Sequence, residues 1–287
     1  MRIGFIGTGV MGKSIVKHFL AKGHEVMVYN RTKSKTDELV AQGAIWQETP
    51  AEVTNASEII FSMVGYPSDV EEIYYGANGI FSVEVKDKIL VDLTSTPTLA
   101  EKIYQTAKKE GAAALDAPVS GGDLGAQNGT LSIMVGGDQA VYDSVVPLFD
   151  IMGKSYSLQG KAGAGQHTKM ANQIMIAGTM TGMTEMLVYA KAANLDVEKV
   201  LETLGGGAAQ NWSMSNYAPR ILKADYSPGF FVKHFIKDLK IALDEAEKMH
   251  LNLPATKLAT ELYERLADQG FDNDGTQALI KLWWSKS

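Results

Sequence analysis

The stretch Ile3-Gly4-Phe5-Ile6-Gly7-Thr8-Gly9-Val10-Met11-Gly12 lies near the head of this 287-residue chain and decides how its fold is read. Residues 3–6 form a short apolar run of the kind that makes a buried strand. The G-x-G-x-x-G that follows sits where that strand gives way to a helical pattern over residues 11–21. In this context the three glycines have separate tasks. Gly7 permits a tight turn, Gly9 lets the backbone approach a pyrophosphate, and Gly12 lets the helix pack on the strand. The helix N-terminus favours the anion. Thr8, Val10 and Met11 complete this dinucleotide-binding turn. A glycine-rich turn that holds no ligand is the competing reading, and the strand-before, helix-after context argues against it.

Outward from this stretch, the first half alternates strands with helices. Residues 25–29, 58–64, 88–93, 112–117 and 131–135 read as strands, being brief, apolar and closed by Gly, Asn, Asp or Pro. Helical patterns lie between them at 33–41, 68–74, 99–110 and 140–151. Such alternation predicts an α/β Rossmann domain with a mostly parallel sheet. The second half loses the strands. Residues 166–194 form one long proline-free helical stretch, and Pro254 suits a first helical position with Gly270 as a later stop. Leu258, Leu262 and Leu266 make one apolar stripe, and Phe235, Leu239, Ala242, Leu243 and Ala246 make another. The prediction is an all-α C-terminal domain joined by the long helix, with domains at 1–162 and 163–287 and the boundary in the glycine-rich residues 161–165.

Composition narrows the partners. There are 33 acidic and 27 basic residues, a formal net charge of −6, so no concentrated basic face for nucleic acid is expected. With Cys 0, disulfides, thiolate nucleophiles and zinc-thiolate sites are excluded. The five His show no metal-ligand spacing, and no metal site is expected. No run reaches the roughly 20 apolar residues of a membrane span, and the start lacks signal-peptide character. A cytoplasmic protein without a membrane partner is the expectation.

The end of the second strand addresses the cofactor. An NAD site wants Asp or Glu there to hold the ribose hydroxyls. This chain has Asn30-Arg31-Thr32 instead. Asn30 repels no 2′-phosphate, Arg31 can pair with one, Thr32 can donate a hydroxyl, and Lys33 and Lys35 add positive charge. NADP is favoured, with NAD possible. The alternative is a solvated basic turn in which Arg31 only covers the adenine face.

Further motifs follow in order: Asp116-Ala117-Pro118-Val119-Ser120-Gly121-Gly122; residues 129–137, Gly-Thr-Leu-Ser-Ile-Met-Val-Gly-Gly; Gly165-Gln166-His167-Thr168-Lys169-Met170-Ala171-Asn172-Gln173; and Lys237-Asp238-Leu239. Together with the fingerprint, they resemble the β-hydroxyacid dehydrogenases, a family that includes 3-hydroxyisobutyrate dehydrogenase and the tartronate semialdehyde and glyoxylate/succinic semialdehyde reductases. The resemblance spans essentially the whole chain. It implies reversible hydride transfer between a nicotinamide and a small hydroxy acid, semialdehyde or keto acid.

The resemblance assigns Lys169 as general acid/base and Asn172 as its neutral companion. Asn172 at i+3 and Gln173 at i+4 share the helical face of Lys169. Many relatives have a second Asn where this chain has Gln173, so that position carries over only weakly. A lysine trades protons near neutrality when burial or a nearby cation brings its pKa toward about 7–8; Lys237 or the nicotinamide could be that cation. Ser120, Gly121 and Gly122 offer a hydroxyl and exposed N–H groups as a carboxylate cradle, the segment relatives use for the substrate's acid group; a bend needed only for chain reversal is the alternative. Met63, Val64 and Ser95 resemble loop positions along the cofactor, and Lys237 resembles a lysine reaching back to it, its alternative being a surface lysine paired with Asp238 or Asp244. His167 points off the Lys169 face and reads as structural. Trp283 and Trp284 read as packing against a helix or a partner subunit. Relatives suggest a homodimer or homotetramer.

Three other readings compete. A 6-phosphogluconate dehydrogenase-like decarboxylating enzyme would be longer and carry Gly-Pro-Ser where this chain has Gly129-Thr130-Leu131. Imine reductases resemble members whose lysine is replaced, and Lys169 argues against them. A non-catalytic cofactor-binding module would not need Lys169, Asn172 and Ser120 together.

Overall fold

The computed structural model describes residues 1–284. Its strands are β1 (Arg2–Ile6), β2 (Glu25–Tyr29), β3 (Ile45–Trp46), β4 (Ile59–Ser62), β5 (Ile89–Asp92), β6 (Ala113–Asp116), β7 (Val119–Ser120), β8 (Leu131–Gly136) and β9 (Gly153–Gly160). They form one sheet in the order β3-β2-β1-β4-β5-β6-β8-β7, with β9 paired to β8. The ladder from β3 to β6 is parallel; β6 and β7 run antiparallel to β8, and β9 runs parallel to it. Chain order reverses on either side of β1, between β2 and β4, which is the switch point where open α/β sheets collect ligands.

Helices α1 (Val10–Ala21), α2 (Asp37–Ala41), α3 (Pro50–Ala56), α4 (Pro67–Tyr75), α5 (Pro97–Lys109), α6 (Gly122–Asn128) and α7 (Gln139–Met152) connect the strands. Then come α8 (Ala164–Ala192), α9 (Val197–Gly205), α10 (Trp212–Leu222), α11 (Val232–Lys248), α12 (Pro254–Leu266) and α13 (Lys281–Trp284). Proline opens α3, α4, α5 and α12, where its missing N–H costs no hydrogen bond. The chain divides into two compact units, Met1–Lys169 and Met170–Ser287, and the division falls inside α8. No described helix is long and apolar enough to cross a membrane.

In the first unit the central strands are buried on both faces, which explains their near-continuous apolar runs. Successive residues serve opposite faces: Phe5, Val28, Phe61 and Val91 enter one core cluster while Ile6, Met27, Ile60 and Leu90 enter the other. Phe61 packs on Phe5 and Phe19 with ring centroids 6.2 and 5.3 Å apart. In the second unit Met180, Leu187, Met214, Phe235, Leu239, Tyr263 and Leu266 belong to one core, with Phe235 and Tyr263 edge to face.

Several elements depart from the sequence expectation. Residues 33–41 are not one helix: Lys33–Thr36 is a 3-10 turn, closed by the Thr36 hydroxyl donating to Lys33 O at 2.7 Å, and α2 follows. The edge strand β9 was not expected, because its Gly-Lys-Ser-Tyr-Ser-Leu-Gln-Gly sequence leaves much of it exposed and carries little apolar signal. The short β3, β7, α3 and α6 were also unanticipated. Leu258 is 54% exposed and lies off the core stripe of α12, which is Ala259, Leu262, Tyr263 and Leu266. At 3.6 residues per turn, Leu258 and Leu266 differ by about 80° around the helix.

Candidate functional site

The first group of site residues gathers at the carboxyl ends of β2, β1, β4 and β5. Gly7 follows β1 with φ +103°, a left-handed conformation that glycine adopts freely. A Cβ there would fall 2.1 Å from Met63 O and 3.1 Å from Val64 Cγ1, so the fingerprint turn and the Met63–Val64 segment touch backbone to backbone. A Cβ on Gly12 would fall 2.1 Å from Gly7 O, while one on Gly9 would meet no atom within 4 Å. Thus Gly7 and Gly12 are close-packed and Gly9 borders open space. No side chain caps α1, and no acid lies in its first turn. Its N-terminal N–H groups and dipole fit a dinucleotide pyrophosphate.

Asn30 explains itself in the structure. Its Oδ1 accepts from Thr8 N at 3.1 Å and its Nδ2 donates to Thr32 O at 2.9 Å, tying the end of β2 to the fingerprint turn. Arg31 has an 84% exposed side chain and pairs with Asp69 at 3.0 Å. An exposed pair of this kind is worth roughly 0–1 kcal/mol, so a phosphate can draw Arg31 away. Val10 is exposed, and Thr8 is buried.

Beneath Met63, Val64 and Ser95 runs a buried polar network that the sequence did not reveal. Asp92, at the end of β5, accepts from the Ser62 hydroxyl at 2.8 Å and from Thr94 N at 3.1 Å through Oδ1. Its Oδ2 accepts from the Thr96 hydroxyl at 2.9 Å. Tyr74 OH lies 3.1 Å from the Ser62 hydroxyl, and Thr94 Oγ1 accepts from Val64 N at 3.0 Å. Two strand-end loops are thereby locked side by side, with buried Ser95 between the two held threonines. The only sequence signal was an acid at the end of an apolar strand.

Burial pushes the Asp92 carboxyl up to about 6 from an ordinary 3.8, against the pull of the hydroxyls and N–H that bind it. The folded chain therefore holds this proton more tightly than the unfolded chain. Its contribution to stability is complete below about 3.8 and is lost as pH rises through about 6. Asp92→Asn removes this titration. The difference in melting temperature between wild type and variant is expected to drift in the variant's favour from about pH 4 to about pH 6 and to level off above. A pH-independent difference would remove Asp92 as the source.

Asp116 ends the neighbouring strand, in register with Asp92. Its Oδ1 accepts from Gly163 N at 2.7 Å and its Oδ2 from Gln166 N at 2.8 Å, so it caps the start of α8. Burial pushes its carboxyl up, while these backbone N–H groups oppose the shift. Glycine at 165 and 136 permits this join: a Cβ on Gly165 would lie 2.3 Å from Met134 O, and one on Gly136 would lie 2.5 Å from Asp116 Oδ1. Four residues after Asp116, half-buried Ser120 pairs with Ser132 across β7 and β8, and Gly121 (φ +122°) and Gly122 (φ +59°) turn the chain into α6. Lys169 follows Gln166 by three residues on α8 and is 7% exposed, unlike an ordinary surface lysine. His167 is exposed.

In the second unit, Asn172 Nδ2 donates to Gln173 Oε1 at 2.8 Å, and Gln173 Nε2 donates to Asp238 Oδ2 at 2.7 Å. Lys237 Nζ lies 3.1 Å from Asp238 Oδ1, an ion pair without hydrogen-bond alignment. Gln173 and Asp238 are 1% and 2% exposed. Gln173 is thus a rigid link between Asn172 and the carboxylate beside Lys237. Trp284 packs against this unit's core, with Lys191 Nζ 4.4 Å from its ring, while Trp283 is partly exposed. Among the described residues no cluster of His, Cys, Asp or Glu could hold a metal.

Residues 2–160 match a family model described as the NAD binding domain of 6-phosphogluconate dehydrogenase, and residues 163–283 match one described as NAD-binding of NADP-dependent 3-hydroxyisobutyrate dehydrogenase. The oxidoreductase YkwC of Bacillus subtilis (strain 168) is 52% identical over 282 residues, covering 98% of each chain. The 2-hydroxy-3-oxopropionate reductase of Escherichia coli (strain K12) is 39% identical over 282 residues, covering 98% of this chain and 96% of that one. In fold, a Mycobacterium tuberculosis 3-hydroxyisobutyrate dehydrogenase solved with L-serine superimposes with a TM-score of 0.91 over 99% of both chains, at 24% identity.

Proposed function

The chain belongs to the β-hydroxyacid dehydrogenase family of NAD(P)-dependent oxidoreductases, and from that premise we propose that it is an NADP-preferring reductase of a small semialdehyde or keto acid, reversible as a 3-hydroxyacid dehydrogenase. The observation that carries this reading is buried Lys169, one helical turn beyond a residue hydrogen-bonded to the Thr94–Thr96 loop at the cofactor edge of the sheet. The residues that would hold the dinucleotide are Gly7, Thr8, Gly9, Val10, Met11 and Gly12 at the pyrophosphate, Asn30, Arg31 and Thr32 at the adenosine end, and Met63, Val64, Ser95 and Lys237 toward the nicotinamide. A bound nicotinamide dinucleotide supplies or accepts the hydride. Lys169 gives a proton to the carbonyl oxygen in reduction and takes it from the hydroxyl in oxidation. Ser120 with the N–H groups of Gly121 and Gly122 holds the substrate carboxylate, and Asn172, oriented by Gln173, positions the reacting group.

Residues 1–162 serve as the dinucleotide domain and 163–287 as the helical domain in this reading. Assembly as a homodimer or homotetramer in the cytoplasm goes with it, supported by exposed Met175 and Tyr189 on α8. The decarboxylating alternative is not favoured by a chain whose residues 163–283 match the 3-hydroxyisobutyrate dehydrogenase model.

The test is turnover of purified protein with NADPH and NADH against glyoxylate, succinic semialdehyde, tartronate semialdehyde and methylmalonate semialdehyde. Turnover of at least one with NADPH is expected; none with either dinucleotide would overturn the reading. Arg31→Ala is expected to raise KM for NADPH by about tenfold to a hundredfold, the worth of a charged hydrogen bond, and to leave NADH kinetics nearly unchanged. Equal effects on both would remove Arg31 from 2′-phosphate recognition.

A further inference from the structure

Gln166 is completely buried, and both polar atoms of its side chain and its backbone N are hydrogen-bonded. Its Oε1 accepts from Thr96 N at 2.8 Å, its Nε2 donates to Thr94 O at 2.6 Å, and its backbone N donates to Asp116 Oδ2 at 2.8 Å. The two backbone groups gripped by the amide flank Ser95. From the opposite side Asp92 grips the same segment through Thr94 N and the Thr96 hydroxyl. Hydrogen bonds therefore hold the residues on either side of Ser95, and the anchor of two of them is the first turn of the helix that carries Lys169.

We propose that Gln166 is a positioning residue for hydride and proton transfer: it fixes the Ser95 loop, which borders the cofactor, to the turn of α8 that presents Lys169. The proposal rests on the assignment of Lys169 and Ser95 in the proposed function. Its physical content is the pairing of one acceptor with one donor. A neutral amide matches Thr96 N–H and Thr94 C=O together. An ionised carboxylate offers two acceptors and faces Thr94 O with like charge, whereas a protonated carboxyl restores one acceptor and one donor. A methionine of similar length offers neither and leaves two buried backbone groups unmatched.

The experiment compares wild type, Gln166→Met and Gln166→Glu as purified full chains, using NADPH and whichever panel substrate wild type turns over. Gln166→Met is expected to lower kcat by about tenfold to a hundredfold, as misplacement of reacting groups does, with KM for NADPH little changed because the fingerprint turn is untouched. Gln166→Glu is expected to approach wild-type kcat at acidic pH and to lose it as pH rises, through an ionisation that wild type lacks. The titratable groups around position 166 are Asp116 on its backbone N, Asp92 beyond Thr94 and Thr96, and Lys169 one turn on; all are present in wild type, whose profile serves as the reference. Wild-type kcat in Gln166→Met, or a Gln166→Glu profile parallel to wild type, overturns the proposal. Should Gln166→Met fail to fold, the Gln166→Glu profile decides alone. Absence of wild-type turnover would instead count against the proposed function.

Discussion

Lys169→Ala is expected to lower kcat by about 10²- to 10⁴-fold, the range that a positioned proton donor supplies, and to leave NADPH affinity as in wild type. The expectation follows from what surrounds the residue. Gln166, Thr168, Asn172 and Gln173 on the same stretch of α8 carry no titratable proton at neutral pH, and His167 is exposed. A lysine 7% exposed on a helix start held by a buried carboxylate is ordered before substrate arrives. Lys169→Arg keeps the positive charge, yet a guanidinium does not deprotonate in proteins. Arginine is therefore expected to preserve carboxylate-substrate affinity without restoring turnover. Steady-state kinetics in both directions, with dinucleotide binding followed by fluorescence, read the two effects separately. A Lys169→Ala enzyme within about tenfold of wild-type kcat would move proton transfer to another group.

Gly12→Ala and Gly9→Ala should fail for different reasons. At Gly12 the added Cβ would lie 2.1 Å from Gly7 O and 2.9 Å from Phe5 Cε1. The first is the backbone of the fingerprint turn, and Phe5 is fully buried in the core. Overpacking of this kind costs about 1–3 kcal/mol or more, which lowers the melting temperature by roughly 2–4 °C per kcal/mol in a domain of this size. At Gly9 the same methyl meets no atom within 4 Å, and φ −67°, ψ −169° is backbone that alanine adopts. Gly9→Ala should melt with wild type, while its methyl occupies space that the pyrophosphate needs. NADPH affinity should fall about tenfold or more, as when a charged hydrogen bond is lost. Unchanged binding in Gly9→Ala would remove this turn from dinucleotide recognition. An unchanged melting temperature in Gly12→Ala would mean that the α1–turn contact relaxes.

Legibility in the sequence followed the range of the signal. Strands β1, β2, β4, β5 and β6 announced themselves because burial on both faces demands nearly unbroken apolar runs, and β8 by apolar residues alternating with exposed Ser132 and half-buried Met134. β9 did not, since a partly exposed edge strand needs no such run. Leu258 misled because an i, i+4 count ignores the drift of the helical repeat. Among site residues, Gly7 and Gly12 are readable from their spacing together with the strand before and the helix after, and their would-be clashes give the physical cause. Asn30 was read only for its lack of charge, whereas its amide also ties the end of β2 to the fingerprint turn. Gln173, carried over only weakly, holds Asn172 and reaches Asp238.

What the sequence determined by itself was everything that local pattern encodes: the βαβ alternation, the glycine turn, the long helix and the family of motifs carrying Lys169. Only the tertiary structure decided the work of Asp92, Asp116 and Gln166. Asp116 and Gln166 bond partners 47 to 72 residues away in the chain, and Asp92 ties the end of β4, 30 residues back, to the loop after β5. An Asp or Gln in a row of letters carries no mark of the backbone group it will meet. That meeting is made by strand register, and a buried polar group is stable only where register delivers its partner.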